Sequence, residues 1–314
     1  MLQLLLGGSG SGKTTLLYQR IRTRAEKGEK SILLVPEQFT SSTEGRIYRE
    51  LGDALSGMVE SFSFTSLAEK ILSTEGGAAV QTLSDAGRAV LVRRALEELQ
   101  DNVHYYHRHR RSAAFCQMAA QTIDELKSAG LSGRQLAQLA GACGAESGKL
   151  SELALIFQGY ETLLARSGMD PSDRLELAGA RLEEALARHS LPEFLRDRAV
   201  FIDEFDTFNA PKKRLLGAML AALPSVTVAL CDDGAPLLPG DLSLFSGAKQ
   251  VAAQLRQLAR KNGAEVAVPQ LLRKDLRHRN APGLAAVAEL LETGSCTADA
   301  PAGEVRLFAA PSRE

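Results

Sequence analysis

Leucine fills four of the five positions from Leu2 to Leu6, and this run ends in a glycine-rich stretch, beyond which Thr15 to Glu26 carries a helical pattern free of proline and glycine. Apolar residues at nearly every position, rather than at alternate ones, predict a strand covered on both faces, as in a parallel sheet. The signature returns at Ile32 to Val35 before Pro36, at Val59 to Phe64, at Ala199 to Ile202 and at Val226 to Cys231. Between Phe64 and Ala199 the period changes. A short helix is predicted over Ser66 to Leu72, and from about Ser84 to Arg188 apolar residues recur three and four apart. Phe115, Met118, Ala119, Thr122, Ile123 and Leu126 form one stripe ending at Gly130; Leu153, Ile156, Phe157, Tyr160, Leu163 and Leu164 form another ending at Gly168. Such stripes read as helix faces packed into a core, with glycine as the stop. Ala248 to Lys261 is a further amphipathic helix, stopped at Asn262 and Gly263. Strands on both sides of a helical block predict a parallel α/β core with helices on both faces and a large all-helical insertion on one crossover.

The glycine-rich stretch fixes the chemistry. Gly7, Gly12, Lys13 and Thr14 match the spacing G-x-x-x-x-G-K-[ST], which lets backbone N–H groups converge on one phosphate chain. The strand before it and the helix after it are the context that this motif requires, so the fold class is α/β of the P-loop NTPase, RecA-like kind. Gly7, Gly8, Ser9, Gly10, Ser11, Gly12, Lys13, Thr14 and Thr15 form the expected cradle for ATP. Lys13 would reach the β and γ phosphates, and the Thr14 hydroxyl would hold Mg²⁺. The acidic half of such a site belongs at the end of a neighbouring strand, where AVFIDEFDTF supplies Asp203 as a second Mg²⁺ group and Glu204 as a general base. Asp206 fits a helix N-cap as well as it fits a catalytic role. Lys13 and Asp203 lie about 190 residues apart, a spacing that suits a helicase-type motor better than a small-molecule kinase.

Composition narrows the remaining classes. Lys and Arg number 37 against 38 Asp and Glu, so no global field draws in polyanions and any nucleic-acid contact must be a local patch. Cys116, Cys143, Cys231 and Cys296 are widely spaced without a C-x-x-C pair, which predicts neither a zinc site nor a disulfide framework and favours a reducing cytoplasm. The phosphate loop takes the place of a signal peptide, no apolar run is long enough to span a membrane, and no membrane partner is expected. Glu304 to Ala309 reads as a buried strand that opens a new unit, so the chain is expected to be part of a longer protein.

The opening GGSGSGKTT, then LLVPEQFT (Leu33 to Thr40), ESFSFTSLAEKIL (Glu60 to Leu72) and FIDEFDTF (Phe201 to Phe208), in that order and spacing, resemble the N-terminal region of the AddB family, the B subunits of bacterial AddAB helicase-nucleases. The resemblance extends through FQGYETLLARSGMDPSDRLELA to the terminal EVRLFAAPSRE, which in the family begins a second motor-like domain. The change of pattern divides the chain into residues 1–83 and 191–300 as two parts of one NTPase domain and 84–190 as the helical insertion, and the resemblance implies 301–314 as the start of a second helicase-like domain. It also implies an ATP-dependent complex that resects double-strand breaks for recombinational repair, with AddA as the principal motor, ATP and Mg²⁺ as ligands, DNA as substrate and a role in handling the Chi sequence. The family's nuclease domain and its [4Fe-4S] cluster would lie beyond this chain. Many members carry glycine where this sequence has Glu204.

Similarity to superfamily 1 helicases extends the list of candidates. The PEQFT and SFSFTS segments take the places of single-strand-binding motifs, making Gln38, Thr40, Ser61, Phe62 and Thr65 candidates for DNA contact, with Phe62 and Phe64 equally readable as core. The run HYYHRHRR, His104 to Arg111, reads either as a nucleic-acid surface or as a solvated helix face over two buried tyrosines. Arg277 and Arg279 lie where a motor places a γ-phosphate arginine. LCDDG, Leu230 to Gly234, sits at the sensor position with Asp232 or Asp233 but lacks the sensing glutamine. Two other readings follow: an active superfamily 1 motor, which Glu204 favours and the absent glutamine opposes, and a scaffold for AddA with a vestigial loop.

Overall fold

A computed structural model describes residues 1–79, 81–144 and 147–295. The leading apolar run becomes β1 (Leu2–Gly7), and the other runs become β2 (Ser31–Leu34), β3 (Val59–Phe62), β4 (Ala199–Ile202) and β5 (Ser225–Cys231); a short β6 (Gln270–Leu272) completes the sheet. All pairings are parallel, in the order β3-β2-β4-β5-β1-β6. β1 lies between β5 and β6, with Leu5 opposite Ala229 on one side and Gln270 on the other. The next strand, β2, pairs with β3 and β4 rather than with β1. The chain therefore leaves β1, crosses past β5 and β4, and opens a crevice at the strands' C-terminal ends, where ligands of open α/β sheets bind.

The helices of this sheet-bearing unit are α1 (Lys13–Glu26), α2 (Thr40–Leu51), α3 (Asp53–Ser56), α11 (Ser246–Lys261) and α12 (Pro282–Thr293). Leu17 and Ile21 of α1 pack with Leu5, Leu33, Phe201 and Ala229 from four strands, all at most 3% exposed. Burial on both faces is what makes these strand sequences continuously apolar.

By contacts the chain divides into two compact units, the first comprising Met1–Ser63, Phe194–Thr207 and Leu223–Glu314, the second Phe64–Glu193 and Phe208–Ala222. Among its described residues the second holds the helices α4 (Phe64–Glu75), α5 (Asp85–Glu98), α6 (Ala113–Ser128), α7 (Gly133–Ala140), α8 (Ser147–Ser167), α9 (Pro171–Ala187) and α10 (Ala210–Ala222), with an isolated parallel bridge between Thr82 and Met169. Its core joins Val92 and Leu96 of α5, Cys116, Ala119 and Ile123 of α6, and Ile156, Phe157, Tyr160 and Leu164 of α8.

Two boundaries differ from the sequence reading. The third strand stops at Phe62 because Phe64 already belongs to α4, buried edge-on against Phe208 with ring centroids 6.0 Å apart. The short helix expected over Ser66 to Leu72 is for the same reason longer at both ends. The terminal strand expected at Glu304 to Ala309, the segment 301–314 and Cys296 lie outside the described residues.

Candidate nucleotide-binding site

β1 delivers the chain into the loop with its last residue pinned. A Cβ on Gly7 would collide with the Ser11 hydroxyl oxygen and stand 2.7 Å from the Leu272 carbonyl of β6, so only glycine allows the loop to close this tightly. Gly12, at φ +89°, turns the chain into α1 from the left-handed region that glycine occupies without strain. No side chain caps that helix start, and its first turn holds no acidic residue. The first N–H groups and the positive end of the helix dipole are thus left to an anion.

Lys13 folds back over the loop, donating from Nζ to the Gly7 carbonyl at 2.8 Å and to the Gly8 carbonyl at 2.7 Å. Burial holds its ammonium below the ordinary lysine pKa, against the opposing pull of Cys231 and Asp203. The Ser11 hydroxyl oxygen is buried without a hydrogen-bond partner in the loop. A cradle of convergent N–H groups, a lysine and an orphaned hydroxyl suits a phosphate chain.

Asp203 ends β4 in the buried position expected of it; its backbone N–H continues the β2 ladder to the Leu34 carbonyl at 3.1 Å, and its carboxylate accepts the Glu204 N–H at 3.0 Å. Glu204 stands at φ +65°, in the left-handed region where a side chain is strained. Burial, and after it the charge of Asp203, raises the Glu204 carboxyl pKa, while Arg46 opposes the rise.

These groups share one cleft of about 530 Å³, lined by Ser9 through Thr15, Asp203 through Asp206, Arg46, Ala229, Cys231, Leu276 and Arg277. Gly7 and Gly8 stay behind it as the carbonyls that hold Lys13. Arg277 reaches the loop, donating to the Ser9 hydroxyl at 3.0 Å, whereas Arg279 is exposed and outside the lining. Asp206 faces the cleft; the capping role that its position also suits falls to Asn209, whose side chain accepts the Lys212 N–H at 3.0 Å.

Sequence reasoning missed Arg46 on α2, which a helical pattern makes indistinguishable from any surface arginine, and Cys231, which reads only as the last residue of a strand. It placed Asp232 and Asp233 at a sensor. Asp232 is 2% exposed and closes a turn by accepting the Gly234 N–H at 2.6 Å, and Asp233 pairs with Lys249 at 3.2 Å. Neither lines the cleft.

Of the DNA candidates, Gln38 is exposed in a 3-10 turn after β2, and the Thr40 hydroxyl is engaged with the Glu37 carbonyl at 2.9 Å. Ser61 and Phe62 are half-buried at the end of β3, beside a shallow cleft that also holds Glu44 and Glu60. Thr65 is exposed in the first turn of α4. The structure therefore brings Gln38, Thr40, Ser61 and Phe62 to the C-terminal ends of two adjacent strands, Ser61 and Phe62 beside Glu44 and a Glu60 that is paired with Arg198. In the HYYHRHRR run, the Glu152 carboxylate accepts backbone N–H groups of His104, Tyr105 and Tyr106 at 2.7 to 3.2 Å. Tyr106 packs on Phe115 at 5.4 Å, but Tyr105 is 58% exposed, so only one of the two tyrosines is drawn inward.

The family model described as "ADDB, N-terminal" matches residues 4–288. Among curated proteins, the B subunit of the ATP-dependent helicase/deoxyribonuclease of Desulforudis audaxviator is 34% identical over 99% of this chain and 27% of its own length. The corresponding B subunits from Moorella thermoacetica and Clostridium perfringens are 32% and 29% identical, over 90% and 88% of this chain and 25% and 24% of theirs. The chain spans about a quarter of the length of these relatives.

Proposed function

Because the chain belongs to the family of AddB N-terminal regions, we propose that it is the ATP-binding, helicase-like part of an AddB-type subunit, which with an AddA partner acts on double-strand DNA ends for recombinational repair in the cytoplasm. The observation that carries this reading is the meeting of Lys13, Thr14, Asp203 and Glu204 in one cleft at the C-terminal edge of the sheet.

Loop N–H groups and the α1 terminus would bind phosphate oxygens. Lys13 would exchange the Gly7 and Gly8 carbonyls for the β and γ phosphates, keeping the loop closed when no nucleotide is bound. Magnesium would supply charge neutralisation on the phosphates. Thr14 and Asp203 would hold it, one hydroxyl and one carboxylate, which suits an ion that keeps most of its shell as water and substrate oxygen. Among the described residues no group of three His, Cys, Asp or Glu builds a metal cage. Glu204 would take the proton of the attacking water, and its raised pKa makes it the stronger base.

Among the described residues Cys116, Cys143 and Cys231 are free and stand apart from one another in the sequence. No helix among the described residues is long and apolar enough to cross a membrane.

Nucleotide turnover by this chain alone should be slow, because a helicase ATPase completes its site with arginines from a second domain. The test is equilibrium binding of ATP with Mg²⁺ to the full chain and to Lys13→Ala. Removing the ammonium should weaken binding by at least about tenfold, the scale of one charge-assisted contact. Equal affinity would refute the assignment. One observation favours an active motor as a second reading, namely that Glu204 is kept in a strained conformation facing the cleft. DNA-stimulated ATP hydrolysis by the two-subunit complex, with Lys13→Ala in this subunit alone, separates the two: a large loss supports the motor, and an unchanged rate supports ATP as a ligand.

A further inference from the structure

The cations of the cleft are not equally engaged. Lys13 is bound to two carbonyls and Arg277 to the Ser9 hydroxyl. Arg46 is different. It projects from the middle of α2, half-buried, and its guanidinium lies over the Tyr18 ring, 5.0 Å from the centroid. Among the described residues no carboxylate pairs with it, and Asp203 and Glu204 share the cleft with it without forming an ion pair.

Tyr18 follows Thr14 by one helical turn, so the two side chains stand on the same face of α1. Stacking on Tyr18 therefore holds the guanidinium on the side of the cleft that Thr14 and Asp203 also line. A second cleft of about 210 Å³ makes the same placement: Thr14, Arg46, Asp203 and Glu204 line it as they line the first, and Tyr18 and Arg49 join them there. Arg46 thus borders both hollows at the acidic end of the site. A phosphate chain seated on the loop, its magnesium held by Thr14 and Asp203, would turn its terminal group towards that end. A guanidinium restrained by an aromatic face, within reach of the Glu204 charge but in no ion pair with it, is organised to bind an anion there.

We infer that Arg46 is the residue by which this site tells a nucleoside triphosphate from a diphosphate, because it supplies from within the same unit a positive charge to the terminal phosphate. The inference rests on the nucleotide-site reading above and adds to it a discriminating role for α2.

The test compares affinities of the full chain for AMP-PNP and for ADP, each with Mg²⁺, before and after Arg46→Ala and Arg46→Gln. Glutamine keeps an aliphatic stem and a planar polar group over Tyr18 while removing the charge, which guards against a packing effect. Both variants should bind AMP-PNP roughly ten- to hundredfold more weakly, the range of one charge-assisted hydrogen bond or a bidentate pair. ADP affinity should stay within about twofold of the parent, which also shows that the variants are folded. Equal loss for the two nucleotides, or no loss for AMP-PNP, overturns the role of Arg46 and leaves the nucleotide site standing. A parent chain that binds neither nucleotide overturns both.

Discussion

Glu204, an exposed residue at the cleft, holds a left-handed backbone, φ +65°, and partial desolvation and then the charge of Asp203 raise its carboxyl pKa. A residue bearing a Cβ in this region costs about 1–2 kcal/mol, which glycine avoids at the expense of a looser unfolded chain. Glu204→Gly should therefore raise stability by about 1 kcal/mol, whereas Glu204→Ala, which keeps the Cβ, should bring no comparable gain. Denaturant unfolding of the three proteins measures this; a less stable glycine variant would mean that the carboxylate makes contacts outweighing the strain. The same glycine should lower any ATP turnover by roughly a hundredfold or more, the usual worth of a general base. Such opposite changes in stability and rate mark a side chain kept for chemistry rather than for folding. The sequence shows an acid after the strand. It cannot show the sign of φ, which arises because Asp203 must stay in the β2 ladder while the chain turns at once out of the sheet.

Among the elements, α8 and α9 are tied by a buried polar knot. Asp170, 1% exposed, accepts a hydrogen bond from the Tyr160 hydroxyl at 2.6 Å and pairs with Lys127 at 2.8 Å, while Lys127 also reaches Asp173 at 2.7 Å. Burial, then the bond to Asp170, pushes the Tyr160 phenol above its ordinary pKa. Burial alone would lower Lys127, but its bonds to Asp170 and Asp173 leave it raised. Both folded values exceed the unfolded ones, so both contributions are complete below about pH 10 and disappear as the pH climbs past it. Thermal unfolding of the helical unit should accordingly show a steep loss of stability above about pH 10. Tyr160→Phe should flatten that loss and remove about 1.5–3 kcal/mol at neutral pH, the worth of a hydrogen bond to a charged group. A variant as stable as the parent at pH 7 would show that Lys127 alone satisfies Asp170. Sequence periodicity places Tyr160 on the buried stripe of α8. It does not show the Asp170 carboxylate at the start of α9 that the phenol meets, because helical period describes a face and not its partner. The limit recurs with α10, which follows β4 in sequence yet groups by contacts with the helices.

At the scale of the whole molecule, strands buried on both faces are legible in the sequence because their apolar runs leave little choice, and the phosphate loop because its spacing is chemical. β6 is not legible: three half-buried residues give no period, yet the Leu272 carbonyl is part of what confines Gly7. α2 and α12 also escape a reading by period, and with α2 goes Arg46. The division into two units carries its own consequence. The loop issues from β1, which is bonded on both sides to β5 and β6, and every residue lining the nucleotide cleft belongs to the sheet-bearing unit. The helical unit has a separate core of its own. A ligand that binds only the folded site stabilises it by RT ln(1 + [L]/Kd), about 2.7 kcal/mol at a hundredfold excess over Kd. Saturating AMP-PNP with Mg²⁺ should therefore slow amide exchange by up to about a hundredfold in β1, α1 and β4, where opening of the site exposes the backbone. Exchange in α5, α6 and α8 should be unchanged. Equal slowing in both would mean that the two units open as one cooperative body, and nucleotide would then report to the helical unit through stability alone, without any contact in the cleft.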